Sequence, residues 1–159
     1  VDEGISSAFS YYGVSQGLAP HSMITIAGGS IGYGMPCAIG AAIACPDRPV
    51  INLQADGSAM YTVQALWTQA RQKLNITTLI CANRCYNILK LELQRANVHS
   101  YCPNLGSLVD LENPSINWVK MAEAMGVPAV VVNTGEQLAA EIDRSLSETG
   151  PHLIEMVIV

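Results

Sequence analysis

Two oxygen-bearing side chains stand at the ends of apolar, β-branched runs. Asp56 follows Val50–Gln54 in the turn Ala55-Asp56-Gly57-Ser58-Ala59, and Asn83 follows Ile76–Ala82. A carboxylate and an amide oxygen are hard donors suited to Mg2+, which takes few protein ligands and leaves the rest to phosphates and water. If the two runs are neighbouring strands, both donors meet at one rim of a sheet. Strand, tight glycine turn and helix N-terminus together present unpaired N–H groups to a phosphate. Ligands of open α/β sheets collect beyond the carboxyl ends of the strands. Taken alone, a D-G-S turn is more often only a turn, and an asparagine there more often caps a strand.

A third segment is Ala27-Gly28-Gly29-Ser30-Ile31-Gly32-Tyr33-Gly34-Met35-Pro36, with four glycines in the seven residues Gly28 to Gly34. Such density implies close backbone approach to a ligand or to another helix. The spacing is not G-x-G-x-x-G, and no acidic ribose partner follows at the end of the next strand, so a dinucleotide fingerprint is not met. The remaining reactive types have ordinary roles. His21 follows Pro20 in a loop, and His152 abuts the last strand. His99 lies in the loop region after the Asn83 segment and is only a minor candidate to approach a substrate. Tyr33, Tyr61 and Tyr86 are expected to pack, and Trp67 and Trp118 to sit in the core.

The elements that must position these residues alternate. Buried strands are expected at Met23–Ala27, Val50–Gln54, Ile76–Ala82, Ala129–Val132 and Leu153–Val159, with a further short one ending at Val1–Glu3. Thr62–Leu74 carries a helical stripe of Val63, Leu66, Trp67, Ala70 and Leu74. Ile116, Val119, Ala122 and Met125 mark a second helix. Leu138, Ala139, Ile142 and Leu146 mark a third, with Thr134-x-x-Gln137 as its capping box. Pro36–Cys45, mostly Ala and Gly, is a helix that must pack closely against other backbone. Tyr101–Asn117 is the longest irregular stretch. The alternation predicts an α/β fold, a doubly wound parallel sheet with helices on both faces.

Composition narrows the function. The 159 residues amount to one domain, residues 1–159, and 50% are hydrophobic. Only 13% are charged, against about 25% in typical soluble domains, which suggests surface covered by another domain or subunit. The net charge of −5 and scattered basic residues argue against nucleic acid. No run approaches the ~18 apolar residues of a membrane span, and no signal-peptide pattern is found. The five cysteines lack a zinc-like pairing and suit a reducing, cytoplasmic setting.

Together the segments from Ile26 to Asn87 resemble thiamine diphosphate enzymes of the acetolactate synthase and benzoylformate decarboxylase group. Their signature is Gly-Asp-Gly followed at a set distance by Asn-Asn, and Asp56-Gly57 and Asn83 stand at the expected separation of 27 positions. The helix start Gly34-Met35-Pro36-Cys37-Ala38-Ile39-Gly40-Ala41 and the Cys45-Pro46-Asp47-Arg48 turn match as well. So do Gly57-Ser58-Ala59-Met60-Tyr61 with Ala65-Leu66-Trp67, and the closing Gly150-Pro151-His152-Leu153-Ile154-Glu155.

The resemblance implies Mg2+ held by Asp56, Asn83 and the carbonyl of Cys85, and the diphosphate held by the turn Gly57, Ser58 and Ala59. It places Gly29, Ser30, Ile31 and Tyr86 against the cofactor. The Gly29 carbonyl would accept from the aminopyrimidine, and Ile31 would prop the cofactor's bent shape. Ile88, Leu89 and Glu92 would border the substrate. Two departures are present: Ala55 replaces the first glycine of the signature and Ala82 the first asparagine. Ala55 is tolerable if its φ is negative.

The implied activity is cleavage or formation of a C–C bond next to the carbonyl of a 2-oxo acid, with the cofactor as electron sink. Acetolactate synthase-like carboligation is expected first and benzoylformate-type decarboxylation second. The activating glutamate is expected on a pyrimidine-binding domain, fused or separate, so no catalytic residue is assigned in this chain. The chain is then part of a larger homo-oligomeric enzyme and inactive alone. A non-catalytic assembly module and a flavodoxin-like or Rossmann nucleotide binder are the alternatives from other classes.

Overall fold

The computed structural model describes residues 1–98 and 103–158. Five parallel strands form one sheet: β1 (Asp2–Glu3), β2 (Val50–Ala55), β3 (Ile76–Ala82), β4 (Ala129–Val132) and β5 (His152–Val157). Their order is β1-β2-β3-β5-β4. All residues of the central β3 are buried, which is why it reads as a continuous apolar run rather than an alternation. Its side chains still divide between two faces. Ile80 packs with Leu153 against α2 (Gly34–Ala44), α4 (Ala65–Gln72) and α7 (Trp118–Ala124) through Met35, Leu66 and Trp118. Leu79 packs with Ile154 on the other face, against Leu138 and Ile142 of α8 (Gly135–Ser147). Side chains of this class stabilise by roughly 1.5–3 kcal/mol each when fully buried.

The Ala- and Gly-rich helix lies close on the sheet, as its small residues allow: Ala38 and Ala42 of α2 pack with Val50 and Ile76. At α8, Thr134 Oγ1 accepts the Gln137 N–H at 3.2 Å. The return bond runs from the Asn133 N–H to Gln137 Oε1, one residue before the cap. The remaining α-helices among the described residues are α1 (Phe9–Val14), α3 (Asp56–Ala59), α5 (Asn87–Arg95) and α6 (Pro103–Val109).

Four expectations change. Met23–Ala27 is not a strand: only Thr25 bridges, to Asp2, and the left-handed φ of Gly28 (+67°) and Gly29 (+70°) ends any extension. The Tyr101–Asn117 stretch is not wholly irregular, since α6 lies within it. The Thr62–Leu74 stripe becomes helical only at Ala65, after tight turns from Ala59 and Thr62. Trp118 is in the core as expected, but Trp67 is 53% exposed, with the Arg71 guanidinium stacked 5.1 Å from its ring centre.

Candidate functional site

The register of the sheet brings the two sequence-distant donors to one rim. Val50 to Ala55 of β2 pair in parallel with Ile76 to Cys81 of β3, so Asp56 and Asn83 leave the sheet at adjacent strand ends. Asp56 opens α3 and is 3% exposed. Its Oδ1 accepts the Gly57 N–H at 2.8 Å, and its Oδ2 accepts the Arg84 N–H at 2.7 Å. Burial pushes its carboxyl above the usual carboxylate range, while these N–H groups pull it down. The Arg84 guanidinium turns instead to Glu112, at 3.6 Å. Among the described residues, then, the buried Asp56 carboxylate has no cationic side-chain partner.

Asn83 is the first residue past β3, and its Oδ1 accepts the Cys85 N–H at 3.1 Å. Arg84 between them has φ +57°, a left-handed conformation that costs a non-glycine residue about 1–2 kcal/mol. That strained turn reverses the chain so that the Arg84 N–H reaches Asp56. The loop is clamped further by the Tyr86 N–H on Val109 O (2.8 Å) and the Leu111 N–H on Arg84 O (2.9 Å). The Cys85 carbonyl accepts the Asn87 N–H at 2.9 Å and keeps a second lone pair.

The turn after Asp56 is buried throughout. A Cβ at Gly57 would lie 2.4 Å from the Tyr86 ring, so glycine is required there by close approach. Ser58 turns inward: its hydroxyl accepts from Gln54 Nε2 at 2.8 Å and donates to Ala55 O at 3.2 Å, while its carbonyl accepts the Tyr61 N–H at 3.2 Å. Ala59 sits in the core cluster. Ala55 is extended, with φ −73° and ψ 144°, so its Cβ carries no strain and the departure from Gly-Asp-Gly is harmless locally.

The glycine segment divides in two. Gly28 and Gly29 have left-handed φ, and a Cβ on either would meet nothing within 4 Å; this backbone is open to an incoming molecule. Ser30 and Ile31 beside them are exposed. Gly32 and Gly34 face the protein: a Cβ would lie 2.8 Å from Tyr61 Cβ at the first and 2.4 Å from Gln54 Oε1 at the second. Close internal packing therefore accounts for Gly32 and Gly34, while the backbone of Gly28 and Gly29 is left open.

The candidate substrate border lies on α5, which begins directly after the Asn83 loop. Ile88 is half-buried, Leu89 and Glu92 are exposed, and Glu92 pairs with Arg95 at 2.5 Å. Tyr86 packs its ring on Gly57 as expected, and Tyr33 donates its hydroxyl to Asp2 O at 2.7 Å. Tyr61 is not a packing residue: it is 60% exposed, over Gly32. His152 begins β5, at the opposite end of the sheet from Asp56, and bonds Glu148 at 2.9 Å. His21 is exposed, and His99 lies outside the described residues.

The donor set is one carboxylate, one amide oxygen and one main-chain carbonyl, beside a buried turn and an open glycine backbone. Such hard oxygen donors would suit Mg2+ better than a metal that favours thiol or imidazole ligands. Among the described residues no three His, Cys, Asp or Glu side chains gather into a metal cluster, and no helix is long and apolar enough to cross a membrane.

The fold is that of a doubly wound α/β domain, with this rim at the carboxyl ends of two adjacent strands. Residues 6–156 match the family described as thiamine pyrophosphate enzyme, C-terminal TPP binding domain, and the chain belongs to that family. It is 46% identical, over 99% of its length, to a Mycobacterium tuberculosis protein provisionally named acetolactate synthase large subunit IlvX, covering 31% of that protein. It is 30% identical to the benzoylformate decarboxylase of Pseudomonas aeruginosa, over 98% of this chain and 28% of that one. Among solved structures, the thiamine diphosphate-dependent 4-hydroxybenzoylformate decarboxylase of Rhodococcus jostii RHA1 superposes with a TM-score of 0.72 at 35% identity, over 80% of this chain and 23% of that one. The chain thus spans under a third of the length of these relatives, as the thiamine diphosphate-binding domain of acetolactate synthase- and benzoylformate decarboxylase-like enzymes.

Proposed function

We propose that residues 1–159 form the single domain that holds the diphosphate of thiamine diphosphate through Mg2+, within a larger 2-oxo acid decarboxylase or carboligase. Asp56, Asn83 and the Cys85 carbonyl are the metal's protein ligands. The main chain of Gly57, Ser58 and Ala59, with Tyr86 behind it, cradles the diphosphate. Gly29, Ser30 and Ile31 face the pyrimidine end, and Ile88, Leu89 and Glu92 border the substrate. The observation that carries this reading is the buried Asp56 carboxylate, which meets the Asn83–Cys85 loop through the Arg84 N–H and has no cationic side chain against it among the described residues. A divalent cation with diphosphate oxygens satisfies that charge.

When bound, the cofactor supplies the electron sink for C–C bond chemistry beside a carbonyl. This chain positions its diphosphate and excludes water from that end. The glutamate that activates the pyrimidine belongs to a partner domain, fused or separate, so this chain without it is silent and the working protein is an oligomer. Acetolactate synthase-like carboligation, a transferase activity, is the first reading, supported by the 46% identity noted above. Benzoylformate-type lyase activity is the second, supported by the TM-score of 0.72 to a decarboxylase of that kind. The four described cysteines are free thiols, which suits a reducing cytoplasm.

Calorimetry of the intact protein with thiamine diphosphate, with and without Mg2+, tests the binding reading. Binding that requires Mg2+ is expected, and Mg2+-independent or absent binding overturns it. Product analysis with pyruvate and with benzoylformate separates the two activities.

A further inference from the structure

The glycine segment that faces the pyrimidine end is held by a residue outside every motif discussed above. Glu3 ends β1 and is 1% exposed. Its carboxylate accepts the main-chain N–H groups of Gly32 and Gly34, the latter at 2.6 Å, and the Gln54 side-chain amide at 3.0 Å. Gly34 opens α2, so the carboxylate sits at the positive end of that helix. No cationic side chain pairs with Glu3 among the described residues, and three N–H donors with the helix dipole offset its burial. The N-terminus of α2 is therefore filled by an internal anion rather than left for the diphosphate.

The clamp works from two sides. Thr62 donates its hydroxyl to the Gly32 carbonyl at 2.9 Å, so Gly32 is fixed at both its N–H and its C=O. Gln54, which Glu3 also holds, is anchored in turn on Ser58 Oγ at 2.8 Å, in the turn after Asp56. Gly28 and Gly29 would meet no neighbour within 4 Å of a Cβ, so their placement follows from the pinned residues just after them.

We propose that Glu3 is a positioning residue: it sets the glycine segment so that the Gly29 carbonyl and Ile31 meet the pyrimidine end of thiamine diphosphate. This rests on the proposed function above. The diphosphate end is held by other residues, and Ser58, though it also accepts from Gln54, keeps its own bond to Ala55 O when Glu3 is changed, so the two ends are separable by experiment. Binding of thiamine diphosphate with Mg2+ and of inorganic pyrophosphate with Mg2+ is measured by calorimetry on the intact protein, for wild type, Glu3→Gln and Glu3→Asp. Glu3→Gln puts an amide N–H against a main-chain N–H, and Glu3→Asp keeps the charge but shortens the reach. Both variants are expected to bind thiamine diphosphate at least tenfold more weakly, with pyrophosphate affinity within twofold of wild type. The near-ultraviolet circular dichroism of the bound aminopyrimidine is expected to change in both. Loss of both ligands together, or of neither, overturns the role of Glu3. Failure of the wild type to bind thiamine diphosphate overturns the functional reading instead.

Discussion

Asp56 and Arg84, 28 positions apart, are joined by a 2.7 Å hydrogen bond from the Arg84 N–H to the Asp56 carboxylate. The bond spans two adjacent strand ends and stabilises a left-handed residue in the loop that carries Asn83 and Cys85. Asp56→Ala is expected to abolish Mg2+-dependent cofactor binding and to cost about 1–3 kcal/mol of stability, because a donor loses its acceptor. The domain still folds, since no core side chain is removed. Calorimetry and thermal unfolding check both parts, and affinity within twofold of wild type would mean that Asp56 only shapes the loop.

Gly57 gives a steric test. A Cβ there would overlap the Tyr86 ring at 2.4 Å. Gly57→Ala is expected to destabilise by roughly 1–3 kcal/mol through overpacking and to weaken cofactor binding as the turn shifts. Adding Tyr86→Ala removes the clash, so the double variant recovers stability that the single one loses. A double-mutant cycle on unfolding free energies reads this coupling, and strict additivity would count against it.

Ala55→Gly restores the family signature and is expected to gain nothing. Ala55 already has the negative φ that any residue accepts. Thiamine diphosphate affinity should stay within twofold, and stability should fall by ~0.5–1 kcal/mol from added chain entropy. A tenfold gain in affinity would show that the Cβ obstructs the diphosphate.

Glu155 on β5 supplies a pH dependence. Burial raises its carboxyl above the ordinary glutamate value of 4.5, against the opposing pull of Arg84 and the Trp118 N–H. A raised carboxyl favours the protonated form in the fold. Its contribution to stability is thus fully present below pH 4.5 and is lost as pH rises through the raised value. Glu155→Gln, which stays neutral, should match wild type below that pH and exceed its melting temperature at neutral pH. Unfolding curves of both proteins from pH 4 to pH 8 check the crossing, and a constant difference would remove the titration argument.

Much of this was legible in the residues. The strand at Ile76 announces itself because a parallel strand covered on both faces has no polar alternation to obscure it, while those at Val50 and Ala129 are legible from their β-branched composition although neither is buried throughout. The pairing of Asp56 with the Asn83 loop follows once β2 and β3 are neighbours. Met23–Ala27 misled because its apolar, β-branched composition is that of a strand, while the glycines after it bend the chain away. Helical spacing points Trp67 to the core, yet α4 buries only Ala65, Leu66 and Gln69, and the indole finds Arg71 instead. Glu3 carried no signal of its own. Its meaning comes from contacts 29, 31 and 51 positions away, which no local pattern encodes.

The clamp on the glycine segment hangs from a strand of two residues at the edge of the sheet. Edge elements this short open locally at low free-energy cost, without global unfolding. Each such opening of β1 would release Gly32 and Gly34, so ligand affinity and the local opening of β1 are thermodynamically linked. A ligand that needs the clamp closed suppresses the opening in proportion to its occupancy. Amide hydrogens at Glu3, Gly32 and Gly34 should then slow their exchange together when thiamine diphosphate binds, while those of the central β3, already limited by global unfolding, gain only what the whole fold gains.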